Sequence, residues 1–365
     1  MALWAVVVLT GCGAAAEPGP ARTSGSAEAT ASATAGTPSA SAPLPSSPET
    51  VADGLEAPWS MVVVDGSVLI SERDSGRIVE LTSDGALREA GRIDGVLHGG
   101  EGGLLGLAVH EDGLFAYSTA SGGNRVERYE LTGGPGSWAL GERTTIIDGL
   151  PAAGNHNAGR IAFGPDGMLY VPVGDAGDRD AAQDPAALGG KILRLEPDGS
   201  VPADNPDPAS AVYSLGHRNV QGLAWDSRGR LFASEFGQNT WDELNLIVPG
   251  GNYGWPVVEG EGGAAEGFVD PVAQWPTGDA SPSGIAIVDD AVLIANLRGE
   301  VLRSVSVDDP AVQREHYAGE YGRLRDVVTG PDGAVWFLTN NTDGRGSPRD
   351  GDDRILRVAP DAVGP

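Results

Sequence analysis

The sequence predicts an all-β fold, a six-bladed propeller of four-stranded antiparallel blades. Three observations carry the expectation. A phrase made of a short apolar strand, a tight turn and a second apolar strand recurs six times. The copies lie roughly 45 to 60 residues apart, the length of one blade with its loops. Glycine is abundant, at 55 of 365 residues, which suits many strands joined by tight turns better than long helices.

The six copies run in order along the chain. They are MVVVDGSVLISE (61–72), LAVHEDGLFAYST (107–119), IAFGPDGMLYVPVGD (161–175), LAWDSRGRLFASEFG (223–237), IAIVDDAVLIANLRG (285–299) and VVTGPDGAVWFLTNN (327–341). Asp-Gly between two apolar runs is a hairpin signal, because both turn residues can adopt positive φ. Third-strand candidates follow several copies, as RIVELT (77–82), KILRLE (191–196), EVLRSV (300–305) and RILRVA (354–359). Closing six blades into a ring leaves no long edge open, and the uneven spacing implies inserted loops that build a site on one face. A pair of β-sandwiches is the competing architecture, and six copies of one hairpin phrase argue against it.

Ahead of the propeller, two segments read differently. Leu3 to Cys12, LWAVVVLTGC, is an apolar run too short to span a bilayer and reads as an export signal (1–12). Its end, Leu9-Thr10-Gly11-Cys12, looks like a bacterial lipobox, which implies a lipid-anchored, extracytoplasmic protein. No positive residue precedes Leu3, a departure from the usual signal. Cys12 is the only cysteine, so an intramolecular disulfide is excluded. Residues 13–48 are Ala, Ser, Thr, Pro and Gly with scattered Glu, a composition that buries no core and reads as a disordered linker. As a flexible coil it spans on the order of 30 Å. The folded part is expected from about Glu49 through 365.

Charge narrows the function. Asp and Glu outnumber Lys and Arg by 51 to 24, a formal charge of -27, which disfavours a nucleic-acid partner because phosphate contact needs a basic face. Lys191 is the single lysine. Against that background, arginines gather in the segments flanking the hairpins: GHRNVQGLAW (216–225), NLRG (296–299) and GRLRDV (322–327). Residues at one phase of successive blades converge on one end of the channel. His156 in GNHNAGR, Arg218, Asn219, Arg298, Arg323 and Arg325 are therefore expected to face one cavity, suited to a small ligand with several negative charges. Neither a zinc nor a haem signature is present, and GGEGGLLG does not sit in a strand–helix unit that would favour a nucleotide.

In this order, the phrases EGGLLGLA (101–108), H-x-x-G-R (156–160), GHRN (216–219) and the EFG…DELN…GGNYGWP run (235–256) resemble the soluble PQQ-dependent sugar dehydrogenases, the glucose/sorbosone dehydrogenase family. The resemblance covers essentially all of 49–360 and implies a six-bladed propeller, in agreement with the repeat count. It implies oxidation of the anomeric carbon of an aldose to a lactone, with pyrroloquinoline quinone (PQQ) taking the hydride and an external acceptor taking the electrons. His156 matches the general base, a role an imidazole suits near neutral pH. Arg218 and Asn219 match cofactor contacts, Arg323 and Arg325 a paired-arginine contact, and Arg298 a position where the family often has Lys. The family places Ca²⁺ against the quinone, held largely by backbone oxygens at positions matching Gly237 and Gln238. Asp242 matches a carboxylate near the cofactor, and Glu243 with Tyr253 a second, structural calcium position.

Departures from the family pattern are Glu101 and Ala176 for Gln, Asn155 and Asn340 for Asp, and Gln238 for Pro. A carboxylate at Glu101 beside an anionic cofactor is unfavourable unless it is paired or protonated. The amide at Asn155 is expected to bear on how His156 is oriented. His217 reads as a structural partner in its turn, and His98, His110 and His316 as surface residues. The GGNYGWP turn also reads as simple packing, with Tyr253 and Trp255 filling space between blades. Two other functions stay open: a calcium-dependent lactonase of another six-bladed type, and a non-catalytic propeller that binds sugar or a partner.

Overall fold

The computed structural model describes residues 43–365. The expected export signal, and most of the expected linker, lie outside the described residues. Strand β1 (Glu49–Ala52) begins where the sequence placed the start of the folded part.

Six four-stranded antiparallel sheets follow one another around a ring. The first blade is β2 (Pro58–Val64), β3 (Ser67–Glu72), β4 (Arg77–Leu81) and β5 (Leu87–Arg92). The second is β6 (Leu104–His110), β7 (Gly113–Ala120), β8 (Gly123–Thr132) and β9 (Ala139–Leu150). The third is β10 (Ala162–Phe163), β11 (Leu169–Val173), β12 (Lys191–Leu195) and β13 (Val212–Leu215). The fourth is β14 (Val220–Trp225), β15 (Leu231–Glu235), β16 (Trp241–Ile247) and β17 (Ala273–Pro276). The fifth is β18 (Pro282–Val288), β19 (Ala291–Asn296), β20 (Val301–Ser306) and β21 (Gln313–His316). The sixth takes β22 (Leu324–Thr329), β23 (Val335–Thr339) and β24 (Ile355–Val358) from the C-terminal end and β1 from the other end of the fold, with Glu49 opposite Arg357.

Each hairpin phrase forms the first two strands of its blade, as the pattern required. The turns are not all made by Asp-Gly. Asp65-Gly66 turns the first hairpin with φ +46° and +83°, but Asp289-Asp290 turns the fifth with φ +47° and +61°. In the second, His110 pairs Gly113, so the turn is Glu111-Asp112. Asp and Asn tolerate the left-handed region because their short side chains bond locally.

Second strands have both faces covered by neighbouring blades and are buried along their whole length in β3, β11, β15, β19 and β23. That explains their continuous apolar runs. The core divides into six clusters, each between adjacent blades. One packs Phe115 and Tyr117 on Val171 and Leu193; another packs Phe232 and Leu244 on Val292 and Ile294. The outer strand β21 is exposed and charged, with Arg314 and Glu315 facing solvent, which protects that edge from pairing with another chain.

The inner strands line the axis, and polar groups close it. Arg160 lies 4.4 Å over the Trp59 ring, donates to Ser60 Oγ and Asp326 Oδ2 at 3.1 Å each, and donates to the Gln221 carbonyl at 2.9 Å. These contacts join inner elements of blades one, three, four and six across the axis.

Candidate active site

The site is an open cavity of about 190 Å³. Its wall includes Glu101, His156, Arg218, Asn219, Gly237, Gln238, Asp242, Arg298 and Arg323, so nine of the twelve residues singled out by sequence come together here. They come from loops entering blades two, three, four and six, from turns within blades four and five, and, for Asp242, from the start of β16, which is the convergence that the blade phases implied.

His156 sits in the loop before β10. Its φ is +54° and that of Ala158 is +53°, so the chain curls here and only Ala162 and Phe163 join the ladder. The curl is held from several sides. The buried Asn157 amide receives the Ala153 N–H at 3.1 Å, and its own Nδ2 donates to the Ala153 carbonyl at 2.7 Å. Ala158 N–H donates to Asn219 Oδ1 at 2.9 Å, and His156 N–H donates to Glu101 Oε2 at 2.7 Å.

The imidazole Nδ1 lies 2.6 Å from Asp175 Oδ1. Asp175 is fully buried at the end of β11. It accepts Gly177 N–H on Oδ1 and the Trp255 indole N–H on Oδ2, both at 2.8 Å. Burial alone would push this carboxyl up, but the bonds from His156, Gly177 and Trp255 outweigh it and hold it below the usual range. A charged Asp175 fixes the ring with its proton on Nδ1 and leaves Nε2 as the basic nitrogen. The pair can meet only because residue 174 is glycine: a Cβ there would stand 1.8 Å from the His156 carbonyl oxygen. Asn155 is exposed, and Asp175 does the orienting that the sequence suggested for it.

Glu101 is paired rather than stranded. Its Oε2 also takes the Asn219 amide at 3.4 Å, and Arg345 lies 3.6 Å from Oε1. Arg345, from the loop after β23, lines the cavity as well, and sequence reasoning missed it. Arg218 donates to the Phe236 carbonyl at 3.0 Å, and Arg323 donates to Asp343 at 3.2 Å. Both keep a buried Nε–H with no partner among the described residues. Such donors are costly unless an acceptor arrives, and they suit the carboxylates of an anionic ligand. Arg298 is exposed and donates to the Thr277 carbonyl at 3.2 Å.

Arg325 does not share this wall. It is buried behind it, 3.7 Å from Asp343, with Nη1 donating to Gln221 Oε1 at 2.9 Å. Asn340 is oriented by its hydrogen bonds to turn its amide oxygen to Arg325 at 2.6 and 2.9 Å. Arg323 precedes β22 and reaches the cavity, whereas Arg325 is within the strand and points into the ring. Burial lowers the Arg325 guanidinium to about 9 against the pull of Asp343.

The residues expected near calcium divide between two places. Gly237 and Gln238 line the main cavity. Their carbonyl oxygens accept no hydrogen bond from the described residues. Glu259 Oε1 gathers the N–H groups of Gln238, Asn239, Thr240 and Trp241 at 2.7 to 3.2 Å, which fixes this turn. Asp242 accepts Gly237 N–H at 2.8 Å and Ser281 N–H at 2.6 Å, and burial raises it to about 6. Glu243 and Tyr253 line a much tighter space of about 10 Å³ behind, with Glu235 and Glu259. Burial, reinforced by the Glu235 charge, pushes Glu243 up to about 8. No cluster of three or more His, Cys, Asp or Glu side chains suited to a metal occurs among the described residues. Backbone oxygen would have to dominate any such site.

The other histidines are structural. His217 bonds Ser214 and Glu235 at 2.8 Å each and stacks on Tyr253. His98 is exposed. His110 is half-buried, stacked on Phe163. His316 is buried on Ser304 rather than at the surface, because it is the inward-facing end of β21, against the adjacent strand β20.

Fold and site together define a six-bladed propeller with an arginine-rich cavity beside a His–Asp pair. The glucose/sorbosone dehydrogenase profile matches residues 55–356, and the chain belongs to that family. The structure is similar to the PQQ-bound aldose sugar dehydrogenase of Streptomyces coelicolor, at 48% identity and TM-score 0.81, over 87% of this chain and 99% of that one. The aldose sugar dehydrogenase of Escherichia coli is 28% identical over 87% of this chain and 94% of its own. Quinoprotein glucose dehydrogenase B of Acinetobacter calcoaceticus is 34% identical over 54% of this chain and 49% of that protein.

Proposed function

We propose that the protein is a PQQ-dependent aldose dehydrogenase that oxidises the anomeric carbon of its sugar to a lactone. The observation that carries this reading is the His156–Asp175 pair opening on a cavity whose arginines hold unpartnered N–H groups. Arg218, Arg298 and Arg323 bind the carboxylates of the cofactor, and Asn219 supplies amide contacts beside them. Bound there, PQQ supplies a quinone carbon that accepts hydride, with calcium as its Lewis acid. The carbonyl oxygens of Gly237 and Gln238 hold that calcium; Glu243 and Tyr253 hold a second, structural ion.

The chain's own contribution to the chemistry is proton transfer and charge placement. His156 Nε2 takes the proton of the anomeric hydroxyl, and Asp175 stabilises the imidazolium that forms. An external acceptor would take the two electrons that the bound cofactor collects. A lactonase of the other six-bladed type builds its centre from carboxylate and amide side chains, and the four arginines at this mouth disfavour it. Attachment to the membrane through a lipid on Cys12 completes the proposal, giving an exported, extracytoplasmic enzyme.

The test adds PQQ and Ca²⁺ to purified protein, then aldoses and an electron-accepting dye. Stoichiometric PQQ uptake with sugar-dependent dye reduction is expected. Lactone hydrolysis without PQQ uptake would favour the lactonase. A His156→Ala protein that binds PQQ and turns over at the full rate would overturn the role of His156.

A further inference from the structure

The GGNYGWP turn reaches further than packing. Trp255 is 5% exposed and 80 residues from Asp175 in sequence, yet its indole N–H donates to Asp175 Oδ2 at 2.8 Å. The other carboxylate oxygen holds His156 Nδ1 and Gly177 N–H. The indole is itself fixed with unusual care. Its backbone N–H donates to the Gly216 carbonyl at 3.0 Å, and its carbonyl accepts Gln183 Nε2 at 2.7 Å. Arg179 lies 4.6 Å and Arg218 5.4 Å from the ring centroid. The same Gln183 amide donates to Asn252 Oδ1 at 3.0 Å within the turn.

We propose that Trp255 is a positioning residue for the base, setting the orientation of the Asp175 carboxylate and through it the tautomer and aim of His156. The proposal rests on the reading of His156 as general base. A buried carboxylate has two oxygens to satisfy, and an Oδ2 without a donor would be free to rotate or recruit the imidazole differently. The indole supplies a donor from the loop after β16, and Glu259 of that loop accepts the Gln238 N–H at 2.7 Å. Base and cofactor-side loop are thereby tied through one side chain, and Arg218 packs on its ring. The other charged groups close to this assembly are Glu101, on the His156 backbone, and Arg179.

Two variants separate positioning from packing. Trp255→Phe keeps an aromatic ring under the arginines and removes the N–H. Gln183→Ala loosens the same turn and leaves the N–H in place. In the PQQ- and Ca²⁺-loaded enzyme, Trp255→Phe is expected to lower kcat/KM at pH 7 by about tenfold, the worth of one hydrogen bond to a charged group. It should also move the acid limb of the kcat/KM profile to lower pH, because a carboxylate free to turn away from Nδ1 holds the imidazolium less well. Gln183→Ala should leave that limb in place whatever it does to melting temperature. A second readout needs no turnover: long-range ¹H–¹⁵N spectra of the protein without PQQ, with His156 assigned through His156→Ala. Wild type and Gln183→Ala should show the Nδ1–H tautomer at pH 8, and Trp255→Phe a mixture. An unchanged tautomer and an unchanged limb in Trp255→Phe would overturn the proposal. A protein with no sugar-dependent dye reduction would instead sink the dehydrogenase reading, and the tautomer would still decide the part played by Trp255.

Discussion

Replacing Asp175 with asparagine tests the centre of the site with almost no change of shape. The carboxylate accepts three N–H groups: His156 Nδ1 at 2.6 Å, Gly177 N at 2.8 Å and Trp255 Nε1 at 2.8 Å. An amide has one acceptor oxygen and one donor nitrogen, so it cannot serve all three. With its oxygen toward His156, its NH₂ faces the indole N–H. With its nitrogen there, it turns His156 Nδ1 into an acceptor and moves the ring proton to Nε2, the atom that should receive the substrate proton. A charged hydrogen bond is worth about 1.5–3 kcal/mol against about 1 for a neutral one, and one donor–donor conflict adds to the loss. The expected cost is ~2–3 kcal/mol of transition-state stabilisation, or about 30- to 150-fold in kcat/KM. The assay is dye reduction by protein loaded with PQQ and Ca²⁺, with cofactor stoichiometry measured in parallel. Asp175→Asn with stoichiometric PQQ and kcat/KM within about threefold of wild type would refute the reasoning. Stability gives an independent sign. The Asp175 carboxyl is held below its ordinary value, so its contribution is present above the unfolded range and lost as pH falls through the folded value. The variant should therefore lose less stability than wild type on acidification.

The remaining predictions address charge around the cofactor cavity. Glu101→Gln keeps an oxygen for the His156 N–H and removes a negative charge from the wall; PQQ should bind roughly threefold to tenfold more tightly, read by equilibrium dialysis. Arg298→Ala should weaken PQQ binding with little change in Tm, since Arg298 is exposed, whereas Arg325→Met should lose ~3 kcal/mol or more of stability in denaturant titrations, because it leaves Asp343 and Gln221 short of a buried partner. Asp242 is raised to about 6 and Glu243 to about 8, so each favours the folded state while protonated and loses that contribution as pH rises through its folded value. Without divalent cations, this pair should make Tm fall between pH 5.5 and 8.5. Added Ca²⁺ should raise Tm more at pH 8.5 than at pH 5.5, and an equal gain at both would contradict the assignment.

The fold was legible because propeller blades are local. A hairpin and its turn lie within about fifteen residues, so apolar alternation and turn chemistry declare them. The cavity arginines were legible because blade phase brings equivalent positions to one end of the ring. What stayed hidden depends on closure of the ring. Asp175 reads in VPVGD as the polar end of a strand, and nothing local marks it as the partner of His156. Trp255 reaches the same carboxylate from 80 residues away. Arg345 sits in DGRGSPRDG, which reads as a solvated turn, yet closure sets it across from Glu101. Arg325 erred in the other direction: two residues from Arg323 in sequence, it is turned inward by the strand that begins between them.

The sixth blade has a consequence for how the chain comes to be folded. Its outer strand β1 is contributed from 308 residues before its partner Arg357, while the other five blades are each contiguous in sequence. Five sheets can form as the chain emerges, but the seam waits for the last strands, and loop closure over that distance must be met before any contact rewards it. Until then β24 presents an open edge and the arc of blades is a spring without a clasp. Arg160 and Asp326, from blades three and six, meet across the axis only in the closed ring. The cavity, lined from blades two to six, likewise takes its shape from closure, and an open arc gives its arginines no fixed geometry.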